Sequence, residues 1–207
     1  FNVAIGFEAL TNDTLGSKSV ALGTFALKDQ SSATATDKFN VAVGHAAGEN
    51  VTTGTNNTVL GGNALSSDTL GSRSVAIGKS ALATQNFTTA TNTYNVAVGD
   101  SAGTSVTTGT LNTLIGGLAG DAITDGDSNV AVGHTALGQE TRGDRIVAVG
   151  AYALQAANTT TDTDVYNTAV GYNAGGTLST GTQNTLIGGL AGDALTDADF
   201  NVAVGLN

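Results

Sequence analysis

Asn40-Val41-Ala42-Val43-Gly44 is one copy of a pentad to which the chain returns from end to end. The pentad closes on a glycine at positions 6, 23, 44, 61, 78, 99, 116, 133, 150, 171, 188 and 205. Successive glycines lie 17 residues apart, except for the steps from Gly23, Gly78 and Gly150, which are 21. A fixed period near 20 residues marks a chain built by stacking one supersecondary unit many times. The expected fold is all-β, a parallel β-solenoid or β-roll of about twelve coils. The repeat fills residues 1–207, so a single repeat region is expected, with no internal boundary.

Within the pentad, the residue before the glycine is always aliphatic, as in Val43 and Val98. The residue three before it is Val or Thr. Two positions two apart share one face of a strand, and β-branched residues suit that surface. The residue between them is Ala nine times, and Val59, Leu114 or Leu186 otherwise. Both faces are therefore apolar, so each is expected to be covered. The larger residues, Val43 and Val98 among them, are expected to point into the coil. The alanine file is then expected to face a neighbouring copy of the chain.

Four before the glycine stands Asn in nine pentads, Asn40 and Asn95 among them, and their amides are expected to bond one another in a ladder. Gly44 and Gly99 suggest a positive φ. Three residues on comes Ala in all eleven complete coils, including Ala47 and Ala102, which implies a tight buried corner. Eight after the glycine, every 17-residue coil has Thr or Ser, and a second short strand is expected around it.

Composition narrows the rest. The chain has no Pro, Cys, Met or Trp, so disulfides and thiolate metal sites are excluded. A net charge of −10 argues against nucleic acid and against an anionic membrane surface. No apolar run is long enough to span a membrane. Both ends of the sequence fall inside a repeat unit, so an excerpt of a longer fibrous protein is expected.

The three 21-residue coils carry their extra residues within 31–38, 86–93 and 158–165. Each insert is followed by an aromatic: Phe39, Tyr94 and Tyr166. Insertions in solenoids map to loops on one side, often the binding side. These aromatics are the candidate receptor-facing residues; the alternative is a bulge that adjusts the stacking.

The pattern Asn/Ser-Val-Ala-Ile/Val-Gly-x-x-Ala resembles the head repeat of trimeric autotransporter adhesins of the YadA type. Ser74-Val75-Ala76-Ile77-Gly78 matches that pentad letter for letter. The 17-residue coils with Asn-Thr strands and Thr-Thr-Gly turns are similar to repeats of bacteriophage tail fibres. The resemblance implies a left-handed roll and a homotrimer. It also implies an extracellular setting, on a virion fibre or a bacterial cell surface, and attachment to a host.

No catalytic constellation stands out, and no cofactor is expected. His45 and His134 occupy the same coil position five coils apart, too far to share a metal. Asp125 with Asp127, and Asp197 with Asp199, are carboxylates two apart on a turn, a pattern that suits Ca²⁺. They also read as solvated turn charges or a glycosidase pair. Phe7, Phe25, Tyr152 and Tyr172 suit sugar stacking or corner packing. The expected function is non-enzymatic: a rod-like fibre or adhesin segment that positions or forms a receptor surface. Its partners would be copies of itself and a host-surface glycan or protein. A polysaccharide-degrading tailspike-type glycosidase is the alternative, and an ice-binding solenoid a third reading that the 21-residue coils, by breaking the Thr file, argue against.

Overall fold

A computed structural model describes residues 1–206 of the chain. It is an all-β parallel solenoid. Twelve three-residue strands, from Val3–Ile5 to Val202–Val204, stack in sequence order into one parallel sheet. Their register is the one the pentads dictate: Val43 pairs with Leu60, and Val98 with Ile115. Eleven steps at strand spacing give a rod about 50 Å long.

The two strand faces are reversed relative to expectation. The residue two before the glycine is the one that points inward: Ala42, Ala97 and Leu114 are fully buried. The aliphatic before the glycine points out, and Leu22, Leu60, Ile115 and Ile187 are each about 40% exposed. Size explains the choice. A 17-residue coil closes on a narrow interior, which alanine fits and a file of Val and Ile would overfill. Larger inward residues occur where a glycine four after a neighbouring pentad makes room. A Cβ on Gly103 would lie 2.6 Å from Leu114, and one on Gly175 would lie 2.7 Å from Leu186.

The alanine corner is confirmed. Ala47, Ala64, Ala102 and Ala136 are fully buried, and Ala9 at the open first coil is the half-buried member of the file. Ala102→Leu is expected to cost about 1–3 kcal/mol through overpacking. Ala33→Leu, on an exposed insert, should leave stability nearly unchanged. Thermal melts of the two variants compare them directly; equal shifts would remove the corner.

The asparagine ladder exists, but most rungs run from amide to backbone. Asn95 Oδ1 accepts the Asn112 backbone N–H at 2.9 Å, and Asn95 Nδ2 donates to Gly109 O at 2.7 Å. Asn40 does the same with Asn57 and Gly54. Each amide thus ties a pentad to two points of the next coil, the N–H of the Asn stacked on it and a carbonyl three residues earlier. A direct amide-to-amide bond appears near the C-terminal end, from Asn201 Nδ2 to Asn184 Oδ1 at 2.9 Å.

The second short strand does not form around the Thr. Two-residue strands form two or three residues later, and they pair as Gly16–Ser17 with Thr36–Asp37, Gly71–Ser72 with Thr91–Asn92, and Gly143–Asp144 with Thr163–Asp164. All three pairs join a 21-residue coil to the coil before it. The Thr file is interrupted at the 21-residue coils, as expected. The longer coils place Ser31 and Asn86 in it, and their N–H groups donate to Thr52 O and Thr107 O. The position is kept through the long coils, but Ser or Asn stands in it there, and the backbone N–H groups of Thr69 and Thr141 in the coil before make no bond to it. Thr hydroxyls are used along it, as where Thr52 Oγ1 donates to Thr69 O at 2.9 Å.

Each coil turns its corners at left-handed backbone positions. Around Gly99 these are Tyr94 at φ 52°, Ser101 at 56° and Gly103 at 57°. Such positions cost roughly 1–2 kcal/mol for a residue other than glycine. One coil alone buries too little to offset that, so stability rests on stacking.

Candidate functional site

From seven residues before the pentad glycine to one before it, the side chains of a long coil alternate strictly between outside and inside. In the coil that ends at Gly99, Asn92 and Tyr94 are exposed while Thr93 and Asn95 are buried. Seven and five before the glycine, the outward pair is an acid or amide and an aromatic. The coil before adds a cation at its own fifth position: Lys18, Arg73 or Arg145. Stacking brings the three together, although the cation lies 21 residues from its aromatic in sequence.

The geometry repeats three times. Lys18 Nζ is 5.1 Å from the Phe39 ring centroid and donates to Asp37 Oδ2 at 2.7 Å. The Arg73 guanidinium is 5.7 Å from the Tyr94 centroid, and its Nε donates to Asn92 Oδ1 at 3.1 Å. The Arg145 guanidinium is 5.7 Å from the Tyr166 centroid and pairs with Asp164, to which Tyr166 Oη also donates, at 3.1 Å. Phe39, Tyr94 and Tyr166 are 49%, 50% and 50% exposed, so the three sites present their rings alike. The Lys18 hydrogen bond, with a second from Ser17, holds the Asp37 carboxyl below its usual range. The long coils were legible as the candidate surface; the cations were not, because they belong to a different coil.

Beneath the second and third sites lies a buried acid that sequence reasoning passed over, and beneath the first a half-buried one. Asp13, Asp68 and Glu140 all stand seven after the glycine in the coil that precedes a long coil. Asp68 Oδ1 accepts N–H groups from Gly71 and from Phe87 of the insert, and Gln85 Nε2 donates to its Oδ2 at 2.7 Å. Glu140 Oε1 accepts four backbone N–H groups, including Thr159 of the third insert, while its Oε2 has no partner. At the second and third sites the acid seven after the glycine thus anchors the insert that follows, while Asp13 accepts from Gly16 and Gln30 instead. The coincidence of these acids with the 21-residue coils was the available signal.

Burial pushes the Asp68 carboxyl up, against the opposing pull of the Gln85 amide and the Phe87 and Gly71 N–H groups. A carboxyl held up in the folded chain favours the protonated fold. Its stabilising contribution is complete below the unfolded value near 3.8 and is lost as pH rises through the folded value. Wild type should therefore gain in melting temperature relative to Asp68→Asn as pH falls from neutral toward about 4. Asparagine keeps an acceptor for Gly71 and Phe87. A difference that stays flat with pH would show that Asp68 is not held up.

Behind the first site Lys38 is also buried. Its Nζ donates to Thr52 O and Thr53 O at 3.3 and 3.1 Å, and desolvation lowers its pKa.

The remaining candidates are placed as follows. Asp127 Oδ1 accepts the Thr110 N–H, and Asp199 Oδ1 the Thr182 N–H, each at 2.6 Å from the coil before. Asp125 pairs with Arg142 at 2.9 Å, and Asp197 accepts the Thr196 hydroxyl at 3.2 Å. Among the described residues, these four join no group of three or more metal-ligating side chains. Phe7, Phe25 and His45 form one edge-to-face stack along the rod, with centroids 5.8 and 5.7 Å apart. His134, Tyr152 and Tyr172 form a second, at 5.5 and 6.0 Å. Both histidines are therefore members of aromatic files. No helix of the described chain is long and apolar enough to cross a membrane. No protein-family model matches the chain, and no curated protein or solved structure matches it.

Proposed function

We propose that this chain is a non-enzymatic segment of an extracellular fibre, a rod that associates side by side with copies of itself and presents its long coils outward. The observation that carries the reading is the outer face of the twelve-stranded sheet. One and three before every pentad glycine it shows only Val, Ile, Leu and Thr, without a charge along its whole length. At about 50 Å by about 10 Å, the stripe covers on the order of 500 Å², near the upper end for the largest patch of a soluble monomer. A second copy fits it best, because a copy offers an equally long, equally flat apolar stripe. Burying the stripe gains roughly 25 cal/mol per Å² of apolar area.

Three copies is the number that the resemblance to YadA-type heads and phage fibres implies, and a virion fibre or a bacterial surface is the setting. Light scattering and native mass measurement test the association. Wild type should be a multimer at micromolar concentration, and Ile115→Asp, on the outer face, should shift it toward monomer with little loss of secondary structure. A well-folded wild-type monomer would overturn the reading.

A further inference from the structure

We propose that the three long coils are equivalent binding sites for a linear saccharide, each built from a half-exposed aromatic ring, an acid or amide oxygen and a cation. The inference deepens the presenting-rod reading by giving those coils a ligand class.

Variation among the three internal copies is the first argument. Inside the rod the copies differ. The residue six before the glycine is Lys38, Thr93 or Val165, all buried. The residue seven after the preceding glycine is Gln30, Gln85 or Ala157, and the one four before it is Ser19, Ser74 or Ile146. The core thus passes from polar to apolar between the first copy and the third. Outside, the chemistry stays the same: Lys18, Phe39 and Asp37; Arg73, Tyr94 and Asn92; Arg145, Tyr166 and Asp164. A clamp needed only to hold the insert would be free to change with the packing beneath it.

The second argument is chemical. A ring held by a cation and left half exposed offers a rigid apolar surface to the C–H groups of a sugar. Beside it, fixed oxygens of Asp37, Asn92 or Asp164 accept from hydroxyls, and the ammonium or guanidinium donates to them. A few convergent polar groups around an aromatic surface are what a small hydroxylated ligand requires. The exposed Thr34, Thr89 and Thr161 add hydroxyls on the inserts that lead to the sites. Three coil steps separate Phe39 from Tyr94 and four separate Tyr94 from Tyr166, about 14 and 19 Å along one side of the rod. A linear saccharide following the rod can meet all three, and linked weak contacts then multiply.

Wild type and the triple variant Phe39→Asn/Tyr94→Asn/Tyr166→Asn would be applied to a printed panel of linear polysaccharides, followed by titration with fragments of any that bind. Asn56 holds the same coil position at φ 60°, so the exchanges suit the backbone. Wild type should bind at least one saccharide, and the triple variant should lose about 100-fold in apparent affinity. If the triple variant does not fold, Lys18→Gln/Arg73→Gln/Arg145→Gln takes its place and should lose binding similarly; Gln183 holds that position at φ 57°. A wild type that binds no saccharide, or a folded variant that binds as well as wild type, would overturn the proposal. So would binding confined to proteins and unchanged after their deglycosylation. Light scattering on the same samples keeps the two readings apart. An associated rod that binds no saccharide removes this inference alone, and a monomeric rod that binds one removes only the self-association.

Discussion

Gly99→Ala is expected to cost about 4 kcal/mol or more, among the largest effects of any single exchange in the chain. Gly99 sits at φ +145°, where an L side chain is strained before any contact is counted. An added Cβ would also lie 2.4 Å from Gly116 O and 2.5 Å from Gly116 C. Those atoms are backbone of the next coil, and moving them breaks the strand pairing of Val96–Val98 with Thr113–Ile115. The same clash exists at Gly44 against Gly61 O, at 2.7 Å. This explains why the pentad ends in glycine: a positive φ coincides there with an approach of the next coil too close for a Cβ. Gly117→Ala is the control. Its nearest atoms are His134 Cδ2 at 3.7 Å and Asp100 O at 4.0 Å, ordinary contact distances. Thermal melts should show a large downward shift for Gly99→Ala and almost none for Gly117→Ala. Similar shifts would mean that the glycine file is not a point of close approach.

The repeat made the register legible, because a pentad can only stack on a pentad. Val43 beside Leu60 and the buried file through Ala102 both follow from spacing alone. The direction of each strand face was not legible from apolar alternation, because both faces are apolar. Side-chain volume carried that information: alanine two before the glycine and Val, Ile or Leu one before it describe a narrow interior and a broad exterior. Leu114 looks like an exception until Gly103 and Gly120, whose missing side chains make room for it, are placed beside it.

At the candidate site the aromatics could be read from the sequence, since Phe39, Tyr94 and Tyr166 end the three long coils. Their cations could not, because Arg73 meets Tyr94 only after a whole coil has closed. The buried acids were hidden by a general expectation that charge in a turn is solvated. Asp68 is in contact with Gln85 and with the backbone of the insert, and the length of the following coil is what gives it those partners.

Ala97→Asp is the second exchange expected to have a very large effect, and it separates the two faces of the sheet. Ala97 is fully buried and is stacked between Ala76 and Leu114 of the neighbouring strands. A carboxylate at that position would face an interior of alanine and leucine without a cation. An unpaired buried charge, or the protonation needed to avoid it, should cost about 3–5 kcal/mol. The next residue, Val98, points to the other side. Val98→Asp places its charge on the outer stripe, where a lone chain meets water, so the fold of a monomer should be nearly unaffected. Between associated copies the same charge would be buried, so Val98→Asp should weaken assembly. Circular dichroism melts at low concentration, combined with light scattering at high concentration, distinguish the two. Ala97→Asp should melt far below wild type at every concentration. Val98→Asp should keep its secondary structure while its apparent mass falls. If Ala97→Asp instead melted like wild type and lost only its association, the alanine file would lie outside the coil and the Val, Ile and Leu file inside it.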